Sequence, residues 1–182
     1  MRIISGKYKN KLIIGHNVLG TRPTMSKIRE ALMSLIFEYL NDSVFLDLFA
    51  GSGIIAFEAL SNGAKKIILN DMNYKCIKNI KINKENIKLT DEECVVENKF
   101  YDKFLKKNEE KVDIIYLDPP YLKVSFKDII KNIKNSDILK ENTIIIIETT
   151  KEEELEDLEK IKSKKYGDKY IFIYKIKRWK NE

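Results

Sequence analysis

Cysteine and histidine are scarce in this 182-residue chain, which has two cysteines and one histidine. Cys76 and Cys94 lack the CxxC or Cys/His spacing of zinc sites, and their isolation does not indicate a disulfide framework. His16 lies in a polar, turn-like stretch with no carboxylate near it in sequence, which is typical of a surface residue. We therefore expect neither a structural metal nor catalysis by a histidine general base.

Long apolar runs are also missing. The densest stretch, residues 144–147, is far shorter than the roughly 18 residues needed to span a bilayer. Basic residues interrupt the amino-terminal region where a secretion signal would lie. The content of 43% hydrophobic and 34% charged residues predicts one globular domain rather than a disordered or membrane chain. We expect a cytoplasmic protein, and a monomer, since no extended apolar surface pattern demands a second copy.

Acidic residues are absent from the first 29 positions, which carry a charge of +7. The remaining chain has 27 basic and 28 acidic residues, a charge of −1. Basic side chains grouped in this way neutralise phosphates and release counterions, so the distribution predicts a nucleic-acid-binding face. A solvated segment with an accidental charge excess is the alternative. The seven basic residues are Arg2, Lys7, Lys9, Lys11, Arg22, Lys27 and Arg29.

Residues 1–40 are interpreted as an amino-terminal extension. Short apolar stretches at residues 2–5 and 11–14 predict a basic β-hairpin, followed by a loop. Apolar residues at three- and four-residue spacing then predict a helix over residues 24–40, with Thr24 or Ser26 as N-cap.

Residues 41–182 show the alternation of strands and helices that is typical of a doubly wound, Rossmann-like α/β fold. Two segments around the Gly167-Asp168 turn predict an antiparallel hairpin closing one edge of a mostly parallel, seven-stranded sheet. The acidic residues 151–160 predict a solvated helix, and the whole chain is expected to form a single structural domain. The predicted strands are 44–49, 65–71, 94–97, 112–118, 142–149, 160–166 and 169–177, and the helices between them are 54–61, 73–87, 101–107 and 125–134.

A glycine turn follows the first of these strands. Gly51-Ser52-Gly53 opens a helix, and Asp71 ends the next strand 20 residues after Gly51, which is the spacing of a dinucleotide-binding fingerprint. Asp47 lies where the pyrophosphate of a dinucleotide would place negative charge, so a carboxylate there favours a ligand with an ammonium group. S-adenosylmethionine has such a group together with a ribose. The alternative is that Asp47 only caps the turn.

A second motif, Asp118-Pro119-Pro120-Tyr121, follows the fourth strand, at the edge where open α/β sheets bind ligands. Asp118 and the Pro119 carbonyl can both accept hydrogen bonds from one amino group, while Tyr121 offers a ring for stacking. Two such acceptors favour a pyramidal nitrogen whose lone pair can attack a sulfonium methyl group. The motif predicts methylation of an exocyclic base amine without a metal. A proline turn that merely ends the strand is the alternative.

The sequence resembles the class I S-adenosylmethionine-dependent methyltransferases. More narrowly, it resembles the bacterial family that methylates the N2 of one guanine in the 16S ribosomal RNA of the small subunit. The resemblance covers nearly the whole chain and is carried by MRIISGKYKNK, TRPTMSKIREAL, FLDLFAGSGIIAFEALSNGAKKI, IIYLDPPY, IIIIET and KKYGDKYIFIY.

This resemblance implies roles for individual residues. The DPPY residues Asp118, Pro119, Pro120 and Tyr121 would lie against the methyl group and the target base. Arg22, Thr24 and Arg29 would contact RNA beside the site, together with the other basic residues of the extension. The cofactor-binding set would be Asp47, Phe49, Gly51, Ser52, Gly53, Asp71, Met72 and Asp118.

Two departures from the family pattern affect the cofactor site. The family often has Glu followed two residues later by Asp after the second strand, whereas here Asp71 is followed by Asn73. The family's acidic residue after the third strand is not evident, and Asn98 is the candidate acceptor for the cofactor adenine in its place. The resemblance implies S-adenosylmethionine-dependent methylation of guanine N2 in 16S ribosomal RNA, in an assembled or assembling small subunit.

Three alternatives remain open from the residues alone. The first is methylation of adenine N6 in RNA or DNA, since the DPPY motif recognises an amino group rather than a whole base. The second is a non-catalytic RNA-binding assembly factor. The third is an NAD-dependent dehydrogenase, which Asp47 disfavours.

Overall fold

The structure, a computed structural model, describes residues 1–15, 23–120 and 124–177, with the backbone alone for residues 23–25. Strands and helices alternate within these ranges as the sequence predicts. Their bounds are α1 Pro23–Leu40, β1 Val44–Asp47, α2 Ile54–Ser61, β2 Lys66–Asn70, α3 Tyr74–Ile87, β3 Cys94–Glu97, α4 Tyr101–Lys107, β4 Val112–Leu117, α5 Phe126–Lys134, β5 Leu139–Thr149, β6 Leu158–Tyr166 and β7 Lys169–Ile176.

The seven strands form one sheet in the order β3-β2-β1-β4-β5-β7-β6. The first five are parallel, and β7 runs antiparallel between β5 and β6. This confirms the predicted mostly parallel, Rossmann-like sheet with an antiparallel carboxyl-terminal hairpin. The strand order reverses between β1 and β4, and a crevice opens beyond the carboxyl ends of strands at such a point.

Both faces of the central part of the sheet are covered, which explains why β1, β2 and β4 are apolar along their length. One buried cluster joins the sheet to α1, α2 and α3, and the other joins it to α4 and α5. Ile3 and Ile13 of the extension are at most 1% exposed and belong to the first cluster. Ile3 and Ile13 therefore anchor the amino-terminal extension in the hydrophobic core.

The predicted β-hairpin at the amino terminus is confirmed, because Arg2 and Leu12 form an antiparallel bridge that is flanked by backbone hydrogen bonds between residues 1–3 and 10–13. The hairpin packs on the end of α2, where Ser61 accepts hydrogen bonds from two of its backbone amides. The Lys7 N–H donates to the Ser61 carbonyl at 2.8 Å, and the Tyr8 N–H donates to Ser61 Oγ at 2.9 Å. Gly6 has φ +79°, and a Cβ there would lie 1.9 Å from the Ser61 carbonyl oxygen, so this contact requires glycine.

The predicted helix over residues 151–160 is wrong. Residues 151–157 contain no helix, and β6 already begins at Leu158, which pairs with Ile176 of β7. Acidic side chains of this stretch form ion pairs with lysines of neighbouring elements, Asp157 with Lys134 and Glu152 with Lys160. Pairing with a neighbouring strand therefore outweighs the local helix preference.

The start of α1 also differs from the prediction. The helix begins at Pro23, so neither Thr24 nor Ser26 precedes it as an N-cap. Among the described helices, none is long and apolar enough to cross a membrane.

Candidate active site

Acidic side chains mark the ends of four neighbouring strands of the sheet. Asp47 ends β1, Asp71 and Asp118 follow β2 and β4, and Glu148 lies near the end of β5. All four line one cleft of about 1280 Å³ at the carboxyl edge of the sheet. This cleft is where the strand order places a ligand site.

The cleft brings together most of the predicted site residues. Gly53 is an exception, since its missing side chain makes room for packing: a Cβ there would lie 2.7 Å from Leu69 Cδ2, and its φ is +78°. Tyr121 lies outside the described residues. The predicted residues that line the cleft are Asp47, Phe49, Gly51, Ser52, Asp71, Met72, Asp118, Pro119 and Pro120.

Hydrogen bonds fix the Asp71 carboxylate against the glycine turn. Its Oδ2 accepts from the Gly51 N–H and its Oδ1 from the Asn73 N–H, both at 2.8 Å. Each carboxylate oxygen has a further lone pair, so Asp71 remains able to accept from ligand hydroxyls. Gly51 has φ +54°, and among the described residues no atom lies within 4 Å of the position that a Cβ would take, which leaves its backbone open to close approach.

Asp47 is a buried carboxylate without a full set of partners. The residue is 1% exposed, and its Oδ1 has no hydrogen-bond partner among the described residues. Burial raises the pKa of Asp47 well above its ordinary value, and the charges of Asp118 and Asp71 raise it further. An ammonium group in the cleft would satisfy this acceptor and stabilise its ionised form, so the site fits a cationic ligand.

Asp118 is held in an environment that weakens its acidity. Burial raises the pKa of Asp118 to about 7, the charge of Glu148 adds to the rise, and Lys169 opposes it. Pro119, which follows it, is buried in the cleft wall. An acceptor with a pKa near neutrality can change its hydrogen bonding over the physiological pH range.

Asn98 was predicted to accept a hydrogen bond from the cofactor adenine, but it does not line the cleft. Its side-chain amide donates to the Asp71 carbonyl oxygen at 2.8 Å, which supports the turn behind the site. Residues 99–102 form this wall instead, and the Phe49 and Tyr101 rings pack there with centroids 5.6 Å apart. Asp102, a carboxylate that follows β3 in the chain, also lines the cleft.

The predicted RNA contacts fall into three groups. Arg29 lines the cleft but is only 7% exposed, and its Nη1 lies 3.1 Å from Oε1 of the buried Glu58, so its charge is paired inside the protein and not on an exposed face as predicted. His16 and Arg22 lie outside the described residues, as does the side chain of Thr24. The exposed basic residues are Arg2, Lys7, Lys9, Lys11 and Lys27.

None of Lys7, Lys9 and Lys11 lines the cleft. Lys7 contacts Ser61 at the carboxyl end of α2, whereas the cleft adjoins the amino end of that helix at Ser52 and Ile54. The eight-residue helix α2 is about 12 Å long. Nucleic acid that contacts both Lys7 and the cleft must therefore extend along α2.

Among the cleft residues that sequence reasoning missed is one hydrogen-bonded group, Tyr116, Glu148 and Lys169. The Tyr116 hydroxyl donates to Glu148 Oε2 at 2.5 Å, and Lys169 Nζ donates to Glu148 Oε1. The signal for Glu148 was a single carboxylate in the otherwise apolar run IIIIET. Lys169 carried no such signal, because only the pairing of β7 with β5 brings it to the site.

Comparisons with known proteins agree with the fold. The chain is 33% identical over 157 residues to Ribosomal RNA small subunit methyltransferase D of Haemophilus influenzae, covering 85% of this chain and 81% of that relative. A hypothetical protein of Thermus thermophilus shares the fold, with TM-score 0.79, 22% identity and coverage of 97% of this chain and 99% of that one. A SAM-dependent methyltransferase of Agrobacterium tumefaciens also shares it, with TM-score 0.57, 19% identity and coverage of 71% and 45%.

A family profile extends this likeness to almost the full length of the chain, since it matches residues 1–175. The chain belongs to the family described as Conserved hypothetical protein 95.

Proposed function

We propose that this protein uses S-adenosylmethionine to methylate the N2 of a guanine in 16S ribosomal RNA of the small subunit. The observation that carries the proposal is the placing of the Asp118-Pro119-Pro120 acceptors in one cleft with Asp47 and Asp71. The name of the Haemophilus relative supports small-subunit ribosomal RNA as the substrate class. We expect a monomer that acts on an assembled or assembling subunit.

The residues present fit the cofactor. When bound, S-adenosylmethionine supplies an electrophilic methyl group on a sulfonium. Asp47 would accept from its ammonium group, and Asp71 from its ribose hydroxyls. Gly51 and Ser52 allow close approach to the backbone, and the Phe49 and Tyr101 rings form an apolar wall for the adenine.

The chain contributes orientation and charge to the reaction at the base. Asp118 and the Pro119 carbonyl would accept from the two hydrogens of the exocyclic amine, which holds the nitrogen lone pair toward the methyl donor. As positive charge develops on that nitrogen, the Asp118 carboxylate stabilises it and would accept the proton that the methylated amine must lose. Flipping the guanine out of the RNA gives the cleft access to the amine.

Transfer of a labelled methyl group to small-subunit particles from an unmodified strain tests the function. We expect one label per particle, in N2-methylguanosine after digestion to nucleosides. N6-methyladenosine would support the adenine alternative, and RNA binding without transfer would support an assembly factor. Binding of NAD, with no binding of S-adenosylmethionine, would leave the dehydrogenase.

The exposed lysines of the extension are proposed to bind ribosomal RNA. Replacing Lys7, Lys9 and Lys11 with glutamine should weaken RNA binding and lower the slope of log affinity against log salt by about 2 to 3, since each phosphate contact contributes about 0.7 to 0.9. Binding should be measured by titration at several salt concentrations. S-adenosylmethionine affinity should not change, because none of these side chains lines the cleft.

A matched control changes three exposed lysines on the opposite face of the sheet. Lys106, Lys107 and Lys111 lie at the end of α4 and before β4, so their replacement removes the same charge elsewhere. Equal loss of affinity in both triple variants would show that bulk charge, and not the extension, governs RNA binding. Deleting the extension is a poorer test, because Ile3 and Ile13 belong to the core.

A further inference from the structure

A buried carboxylate and an ammonium group lie beside Asp118, and the methyl-transfer chemistry described above does not use them. Glu148 is 5% exposed, and its two oxygens accept from the Tyr116 hydroxyl and from Lys169 Nζ. Both Glu148 and Lys169 line the cleft. Burying the Glu148 carboxylate carries a desolvation penalty, and Lys169 remains partly exposed, so a purely stabilising role is a weak explanation for the pair.

The register of the sheet sets the order of these groups. Leu117 of β4 pairs with Ile147 of β5, so continuing that register by one residue places Asp118 beside Glu148. Lys169 comes from the adjacent strand β7 and holds the Glu148 carboxylate from the other side. The cleft therefore presents an acceptor at Asp118, a second acceptor at Glu148 and a donor at Lys169.

The Watson–Crick edge of guanine presents the complementary series. Its N2 amine and its N1–H are donors, and O6 is an acceptor, in that order along one side of the ring. Carboxylate oxygens have several lone-pair sites, and a lysine ammonium has three donors, so Glu148 and Lys169 can bind a base while keeping their mutual contact. The Tyr116 hydroxyl fixes the carboxylate at its other oxygen.

We propose that Glu148 and Lys169 are the specificity-determining pair for the target base, with Glu148 accepting from guanine N1–H and Lys169 donating to guanine O6. This inference rests on the proposed function, because it assumes that the guanine N2 amine lies against Asp118. Adenine presented by its N6 amine has an unprotonated N1 next to that amine. The Glu148 carboxylate would then face the adenine N1, which is also an acceptor, and neither group would have a hydrogen-bond donor. A site that leaves a buried polar group unpaired in this way discriminates strongly against the base, here adenine.

RNA carrying 2,6-diaminopurine in place of the target guanine isolates this recognition. The analogue keeps the N2 amine but has an acceptor at N1 and an amine in place of O6. For the wild-type protein we expect kcat/KM for the analogue to be at least about 100-fold below that for guanine. In Glu148→Gln, the side-chain amide can donate to the N1 of the analogue. The ratio of kcat/KM for guanine to kcat/KM for the analogue should therefore fall below about tenfold.

Lys169→Met provides a second variant, and because it removes the counter-charge of the buried Glu148, its stability is measured before its activity is compared. We expect it to lower kcat/KM for guanine while changing that for the analogue much less, because only guanine offers O6. Glu159→Gln and Lys164→Met are the matched controls, since both residues are exposed on β6. Thermal unfolding and calorimetric binding of S-adenosylhomocysteine check the fold and cofactor site of each variant.

The outcomes separate this inference from the proposed function. A wild-type protein that forms no N2-methylguanosine overturns both. Formation of N2-methylguanosine with equal activity on the analogue, or with the same guanine-to-analogue ratio in wild type, Glu148→Gln and Lys169→Met, overturns only the recognition by Glu148 and Lys169. A smaller guanine-to-analogue ratio of kcat/KM in both Glu148→Gln and Lys169→Met, with the wild-type ratio in the two controls, supports recognition of the base by Glu148 and Lys169.

Discussion

Replacing Asp118 with alanine should lower kcat for methyl transfer by about 10²- to 10³-fold, the loss typical when one preorganised polar contact to the transition state is removed. Asp118 supplies the carboxylate of the acceptor pair in the cleft, and alanine leaves only the Pro119 carbonyl for the two amine hydrogens. Binding of S-adenosylmethionine should change far less, because Asp47, Asp71 and the glycine turn remain. Single-turnover methyl transfer measures the loss of kcat, and calorimetry measures the binding of S-adenosylmethionine.

The pH profile provides a control for this prediction. The pKa of Asp118 is raised to about 7, mainly by burial, so the carboxyl is protonated below that pH and loses acceptor capacity. We therefore expect kcat/KM of the wild-type protein to rise with pH through about 7. Asp118→Asn keeps one acceptor oxygen but does not titrate, so its profile should lose this rise.

If kcat/KM of Asp118→Asn still rose with pH through about 7, the titrating group would not be Asp118. Such a rise would move the titration to Asp47, the other buried carboxyl of the cleft whose pKa burial raises. Wild-type activity in Asp118→Ala would exclude the proposed chemistry altogether.

Features of the site that depend on short stretches of chain could be predicted from the sequence. The glycine turn, Asp71 and the DPPY motif each follow a strand whose apolar run is plain in the sequence. Because carboxyl ends of parallel strands meet at one edge, correct strands were enough to bring Asp47, Asp71 and Asp118 into one cleft.

Features that depend on contacts between distant segments could not be predicted. Lys169 reaches Glu148 only through the pairing of β7 with β5, and no local pattern specifies that partner. The acidic stretch before β6 has a helical composition, yet strand pairing at Leu158 decides its structure. Arg29 lies among basic residues in the sequence, but its orientation follows from the burial of Glu58, 29 positions later.

The Arg29–Glu58 pair leads to the largest expected effect on stability. Arg29→Met should lower the free energy of unfolding by about 3 to 5 kcal/mol, because it leaves the Glu58 carboxylate buried without its counter-charge. Glu58 is fully buried, and its Oε1 also accepts from the Ile4 N–H at 2.9 Å. Denaturant unfolding measures the loss. Lys27→Met, at an exposed position two residues earlier, is the matched control and should change stability by less than about 0.5 kcal/mol.

A double variant distinguishes an unpaired charge from lost packing. Burial raises the pKa of Glu58 and lowers the pKa of Arg29 despite their proximity, so desolvation outweighs their attraction. Glu58→Gln removes the charge and keeps the acceptor for Ile4, so combining it with Arg29→Met should restore most of the lost stability. If Arg29→Met instead unfolds like the wild type while losing RNA affinity and salt dependence, Arg29 is an RNA contact and its pairing with Glu58 is incidental.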